Sequence, residues 1–320
     1  MVSEYLTLDN VIRGLTDNDF RRKGVRYVAR HIRSALYNLT TTGKTDIMEE
    51  DADNLIILDG CRYDTFSEEY HVLSHEGDLE RITSPASSSM GYMEETFGGQ
   101  QFHDTVYVTA NPHVEYIDSE TFHSTISLLD DEYWNDEYNT VLPETVVDQA
   151  RIAQEEYPQK RLILHFMQPH YPFIGPTGEQ VSHRGYNQSL IDPDLEIEPV
   201  WAELRDNPTE EEIEAVKKAY RENLQIVLEH VDELLTDLDG KSILTADHGN
   251  LLGEHLWPVP MRDFGHPSSV ATPALRHVPW YTIESDTRPT IVEEPPEGTI
   301  NLSDKVVSDR LQALGYTEET

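Results

Sequence analysis

The sequence predicts an α/β fold, a mostly parallel central sheet sandwiched between helices. Apolar runs of strand length recur along the chain, as NLIILDG from residue 54, TVYVTAN at 105–111, RLILHFMQ at 161–168 and KSILTADHG at 241–249. Helix-like segments separate them, at about 143–156 and 209–238. The runs are continuously apolar rather than alternating, the pattern of strands buried on both faces of a parallel sheet.

Taken in order, the chain opens with a helix-like stretch over 9–38 that holds its one basic island: Arg21, Arg22, Lys23, Arg26, Arg30 and Arg33. This island either meets an anionic partner or lies against the acidic body; the second reading is preferred. Residues 1–45 therefore read as an N-terminal helical extension, about 50–285 as the core of a single domain, and 286–320 as a Pro- and Glu-rich tail. A short helix near 302–314 is expected to close that tail. The stretch from Tyr171 to Pro208 reads as a long loop, of the kind that shapes a pocket.

The 320 residues carry 24 Lys and Arg against 60 Asp and Glu, a net charge of −36. Such a surface repels phosphates, which argues against nucleic acid and against broad binding to an anionic membrane. The acid excess is dispersed and Lys is scarce, which suits molar salt, where screening shrinks to about 3 Å. A halophilic source is expected. One cysteine, Cys61, excludes an internal disulfide and any multi-cysteine metal site. No apolar run is long enough to span a bilayer, and the opening MVSEYLTLDN lacks a leader pattern, so a cytoplasmic protein is expected.

The chemistry collects where strands end. Asp59, then His165, Gln168 and His170, then Asp247–His248 follow three separate runs. Sites in open α/β sheets lie at the carboxyl ends of strands, and carboxylate plus imidazole is a metal-binding composition. Gly249 lets the chain turn sharply after Asp247–His248. A hydroxyl cluster, Thr83, Ser84, Ser87, Ser88 and Ser89, precedes a helix expected over Met90–Phe97. Ser89 reads as its N-cap, where the helix dipole favours an anion or an alkoxide.

Four blocks in this order resemble the sulfatase-like branch of the alkaline phosphatase superfamily: NLIILDGCRYDTF, ITSPASSSMGYMEETFGG, LILHFMQPHYPF and SILTADHGNLLGEH. The first contains a D-x-x-R-x-D pattern, and HVPW at 277–280 is similar to the strand that follows the fourth block. The resemblance covers roughly residues 54–283 and implies an alkaline-phosphatase-like sheet. It implies that Asp59, Asp247 and His248 bind a divalent metal (Mn, Zn, Mg or Ca). It implies that His165 and His170 line the site or complete a second metal position, that His255 and His266 bind or protonate substrate oxygens, and that Arg262 supplies a basic group. His71, His75, His103, His113 and His123 read as ordinary surface or loop residues.

The chain departs from that family at the nucleophile. Formylglycine sulfatases need C-x-P-x-R, and Cys61 lies in the wrong block. A hydroxyl must serve. Counting back from Phe97-Gly98-Gly99 gives Ser89, expected to be a metal ligand as well as the nucleophile; counting from Ser84-Pro85 gives Thr83, and Ser84, Ser87 and Ser88 stay open. The expected activity is metal-dependent hydrolysis or transfer of a phospho- or sulfo-ester, phosphorus favoured. The substrate would be a small-molecule, glycan-linked or lipid-linked anionic ester. A non-catalytic metal- or glycan-binding member and a phosphotransferase on lipid- or glycan-linked phosphate are the alternatives.

Overall fold

The structure, a computed structural model, describes residues 18–41, 43, 45–178, 180–181, 201, 204, 208–257, 259, 261–268, 270–297 and 310–311. Its centre is β1 (Asn54–Leu58), every residue of which is buried. It pairs in parallel with β7 (Arg161–Phe166) on one side and β8 (Ser242–Thr245) on the other, so that Ile57 faces both His165 and Thr245. Beyond β7 lie β3 (Phe102–Thr109) and β4 (Phe122–Ser127), both parallel to it. Beyond β8 lie β11 (His277–Ile283), the antiparallel member, and β2 (Asp78–Thr83). The seven-stranded order is β2-β11-β8-β1-β7-β3-β4. The register brings the carboxyl ends of β1, β3, β7 and β8 to one edge.

The described residues include the helices α1 (Asn18–Thr40), α2 (Tyr63–Glu69), α3 (Ser89–Phe97), α4 (Pro143–Glu156), α5 (Glu210–Leu235) and α6 (Pro273–Arg276). They flank the sheet. α5 begins with a full capping box, Thr209 with Glu212, and three Glu residues in its first turn suit the positive end of its dipole. Its apolar positions, among them Leu224, Val227, Leu228 and Val231, join the main core with β1, β3 and β7. A second cluster gathers Tyr171, Phe173, Trp201 and Leu204 onto Ile213, Val216 and Tyr220 of α5.

Several expectations change. The helix expected over Met90–Phe97 starts one residue earlier, and its N-cap is Ser88, whose side chain accepts from the Gly91 N–H. Two small antiparallel pairs, β5–β6 (Trp134–Asn135 and Thr140–Val141) and β9–β10 (Leu251–His255 and Arg262–Gly265), have no counterpart in the sequence reading. The basic island splits. Arg30 forms a bidentate pair with Asp263, at 2.7 and 2.8 Å, and Arg33 donates to the His255 carbonyl at 2.9 Å. Arg21, Arg22 and Lys23 are exposed. Most of the loop expected over 171–208 and of the helix expected over 302–314 lies outside the described residues, although 310–311 are helical. No described helix is long and apolar enough to cross a membrane.

Candidate metal and nucleophile site

Asp59 stands one residue past β1 and Asp247 two past β8, so adjacent parallel strands deliver both carboxylates to the same edge. One ligand atom each from Asp59, His165 and Asp247 lies within 4.8 Å of the others, and all three residues are buried. Asp247 accepts from the Gly60 and His248 N–H groups, at 2.9 and 2.8 Å. Two buried carboxylates this close repel each other, and a cation among them removes that cost. The His165 Nε2 atom faces Asp247 Oδ2 at 3.9 Å with no hydrogen bond among the described residues. Carboxylate oxygens with an open imidazole nitrogen are a donor set that fits a divalent cation.

The backbone turns that place these groups need glycine. Gly60 follows Asp59 at φ +66°, the left-handed region. At Gly249 any Cβ would collide with the Ala274 carbonyl oxygen. The chain can therefore leave β8 so that Asp247 and His248 turn toward one place. His248 Nδ1 lies 2.7 Å from the Gly249 carbonyl, which fixes the proton there and leaves Nε2 as the free electron pair. That Nε2 lies 3.4 Å from Asp247 Oδ2 and 3.7 Å from Asp59 Oδ1.

Ser89 is the first residue of α3 and is fully buried. Its Oγ donates to Asp247 Oδ2 at 2.7 Å, lies 3.4 Å from Asp59 Oδ2 and 3.2 Å from His248 Nε2. The other hydroxyls of the cluster point elsewhere. Ser84 donates to the Asp247 and Ala86 backbone carbonyls, Ser87 to the carbonyls of Pro267 and Ser268, and Ser88 caps the helix. Thr83 is the last residue of β2.

His170 and His266 form a further pair, Nε2 to Nε2 at 2.8 Å. The His266 ring also stacks on His248, with centroids 4.5 Å apart. His255 and Arg262 do not join this group. His255 is exposed, and Arg262 spends its guanidinium on the Gly253 carbonyl and on Glu210. Both stand on the β9–β10 ribbon, where they face each other across the pair.

Two contributors were not foreseen. Asn111, two residues past β3, donates Nδ2 to Asp59 Oδ2 at 2.7 Å while its Oδ1 accepts the His113 N–H at 2.9 Å. His113, expected on the surface, is buried. His123 is buried too, beneath the tail, with Nδ1 2.9 Å from the Pro295 carbonyl. The first two follow the strand-end rule that found Asp59; TVYVTAN carried the signal, but amide and imidazole two residues apart did not stand out there. Arg62 and Asp64 of the D-x-x-R-x-D pattern bind each other, and Arg62 also holds Glu254 and the Asn250 carbonyl. The pattern thus clamps the turn after β1 to the segment after β8.

Burial dominates the titration of the imidazoles. It lowers His165 to about 4, with Asp247 pulling the other way. It lowers His170 to about 4, and His248 adds to the effect. It lowers His113 to about 4 against the pull of Asp247. For Asp247, burial acts to raise the carboxyl, yet the facing His248 and His165 and the Gly60 N–H hold it below the usual carboxylate range.

No family model matches the chain, and no curated protein does. Solved structures do. One is a lipooligosaccharide phosphoethanolamine transferase A from Neisseria meningitidis, an integral membrane protein: 14% identity, TM-score 0.42, over 73% of this chain and 47% of that one. The present chain thus spans just under half the length of that protein. A second is the phosphonate monoester hydrolase of Agrobacterium radiobacter: 15% identity, TM-score 0.47, over 72% of this chain and 67% of that one. The third, from Vibrio parahaemolyticus, shares 12% identity at a TM-score of 0.42, over 86% of this chain and 68% of that one. The solved structures to which this chain is similar therefore include a protein described as belonging to the alkaline phosphatase superfamily.

Proposed function

We propose that this chain is a metal-dependent hydrolase or transferase of phosphoric or sulfuric esters, with Ser89 as its nucleophile and phosphorus as the preferred centre. One observation carries the reading: the Ser89 hydroxyl, at a helix N-terminus, donates to Asp247 beside Asp59 and His248. A divalent cation held by Asp59, Asp247 and His248, with His165 at its edge, would supply Lewis acidity toward the hydroxyl and the ester oxygens. Asp247 accepts the Ser89 proton along the existing hydrogen bond. Ser89 Oγ then forms the new bond to phosphorus as the bond to the leaving oxygen breaks. The N-terminus of α3 favours the negative charge gathered there.

The histidine pair takes the far side of the ester. His170, held neutral by burial, serves as a hydrogen-bonding or metal-binding imidazole rather than as an acid. His266 is then the group that protonates the leaving oxygen. The two Nε2 atoms could instead share a second cation. Water releases the group in hydrolysis; an alcohol does so in transfer. A serine ester cannot collapse as a formylglycine hemiacetal does, which favours phosphate over sulfate. The same reading carries the expectation of salt adaptation and a cytoplasmic place of action, motivated by the charge of −36 and the buried free Cys61.

The test measures bound metal and turnover of nitrophenyl phosphate and nitrophenyl sulfate, followed by peptide mapping of the trapped covalent intermediate. Phosphorylated Ser89 and loss of turnover on chelation are expected. Turnover that survives chelation, or a label on another residue, would overturn the assignment.

A further inference from the structure

His165 meets the candidate site with one ring nitrogen and is held by the other. Its Nδ1 lies 2.8 Å from the hydroxyl of Tyr107, and both side chains are fully buried. Strand pairing makes the contact. β3 and β7 run in parallel with Thr109 opposite His165, and Tyr107 lies two residues back on the same face of β3. The Tyr107 hydroxyl also donates to Sδ of Met93 at 3.7 Å. Met93 is buried on α3, four residues after Ser89 and so on the same face of that helix.

The protons in this chain have one consistent order. A thioether has no proton to give, so the phenol is the donor at Met93. With its proton spent there, the Tyr107 oxygen meets His165 as an acceptor, and the proton of the neutral imidazole sits on Nδ1. Thr109 also bonds the phenol, whose oxygen has lone pairs for both. The reverse order is poorer at both ends. The sulfur would lose its donor, and a proton on Nε2 would face Asp247 Oδ2 at 3.9 Å, beyond hydrogen-bond reach.

We infer that Tyr107, oriented by Met93, is a positioning residue that fixes the tautomer of His165 and turns its Nε2 electron pair toward a cation between Asp59 and Asp247. The inference rests on the metal site of the proposed function and makes His165 a full ligand of it. That Nε2 lies within 4.8 Å of a carboxylate oxygen from each of Asp59 and Asp247 and has no hydrogen bond among the described residues. An imidazole that binds metal commonly donates its other N–H to a fixed acceptor, which holds the ring and raises the basicity of the ligating nitrogen. A phenol does this without bringing a third negative charge to two buried carboxylates. Because Met93 and Ser89 share a face of α3, the helix that carries the nucleophile also holds the ligand in place.

The test compares the metal-free full chain with Tyr107→Phe and Met93→Leu. Nitrogen NMR of isotope-labelled histidine reads the tautomer, with the His165 signals identified by their loss in His165→Gln. Titration with zinc against a competing chelator reads affinity. In the wild type the proton is expected on Nδ1, and zinc is expected to shift the Nε2 signal. Tyr107→Phe is expected to weaken zinc binding by about 10- to 100-fold and to let the Nε2–H form appear. Met93→Leu, which keeps the phenol, is expected to move the tautomer the same way by a smaller amount. Should Tyr107→Phe fail to fold, the wild-type and Met93→Leu spectra decide. A proton on Nε2 in the wild type overturns the inference, as does zinc affinity that Tyr107→Phe leaves intact. So does a purely structural pattern, in which the variants lower the thermal midpoint and leave the His165 nitrogen signals where they were. A wild type that binds zinc and is labelled at Ser89 while zinc leaves the His165 signals unmoved overturns this inference alone. A wild type that binds no divalent cation overturns the proposed function with it.

Discussion

Tyr220 and Asn223 stand one helical turn apart on α5, and each holds a different loop of the candidate site. Tyr220 Oη donates to the Gly60 carbonyl at 2.7 Å and accepts the Arg62 N–H at 3.0 Å, fixing the turn after Asp59. Asn223 Nδ2 donates to the carbonyls of Pro169 and His170, at 3.2 and 3.0 Å, and its Oδ1 accepts the Ile174 N–H at 2.9 Å. Residues three apart share a helix face, so one rigid surface sets the distance between the turn that carries Asp59 and the histidine loop. Asn223→Ala leaves these buried backbone groups without partners. The expected cost is about 2–3 kcal/mol in urea unfolding, with turnover reduced as His170 loses its position. An unfolding midpoint equal to that of the wild type would show that the loop holds itself.

Ser88 and Ser89 offer a sharper contrast, because neighbours in sequence have different partners. Ser88 caps α3 through the Gly91 N–H, whereas Ser89 reaches the carboxylates. Ser88→Ala is expected to cost about 1 kcal/mol of stability and to keep turnover within a small factor. Ser89→Ala is expected to keep the fold and lower turnover by at least about a thousandfold. The opposite ranking in a paired kinetic and melting measurement would move the nucleophile to Ser88.

Much of the site was legible because its residues sit at strand ends. Asp59, Asp247 and His248 follow apolar runs that can only be central strands, and chain direction alone brings their ends to one edge. Ser89 was legible as a helix start, though the cap is its neighbour. Tyr220 and Asn223 left no trace. On a helix periodicity they read as ordinary buried positions, and their partners lie about fifty to one hundred and sixty residues away in sequence. Arg262 failed for the inverse reason. It stands close in sequence to the GEH segment, but a two-stranded ribbon alternates its faces, and the alternation carries the guanidinium to Glu210.

His113 tests the strand-end rule on β3. Its N–H is held by Asn111, whose amide in turn holds Asp59, so backbone and carboxylate are joined through one side chain. His113→Gln preserves the size and one polar end. Turnover is expected to fall about 10- to 100-fold while bound metal stays unchanged, since the ligand oxygens remain in place. Loss of metal in step with activity would instead make His113 part of the metal centre.

Acid should unfold the metal-free protein earlier than its carboxylates alone would. His113, His165 and His170 are lowered to about 4 by burial. In the unfolded chain each returns to about 6.5. Between those limits the unfolded state binds more protons, so stability rises with pH across the window. The contribution is fully present above about pH 6.5 and is lost as pH falls through about 4. Asp247, also lowered, acts in the same direction, but only below the ordinary carboxylate value near 3.9. The onset therefore separates the two kinds of group. Thermal midpoints of chelated protein are expected to be flat above about pH 7 and to fall steadily below about 6.5. Added divalent cation should raise the midpoint most near neutral pH, because protons compete for His165 as pH drops. A midpoint that stays level down to about pH 4.5 would mean that these imidazoles are open to water rather than sealed under the sheet edge.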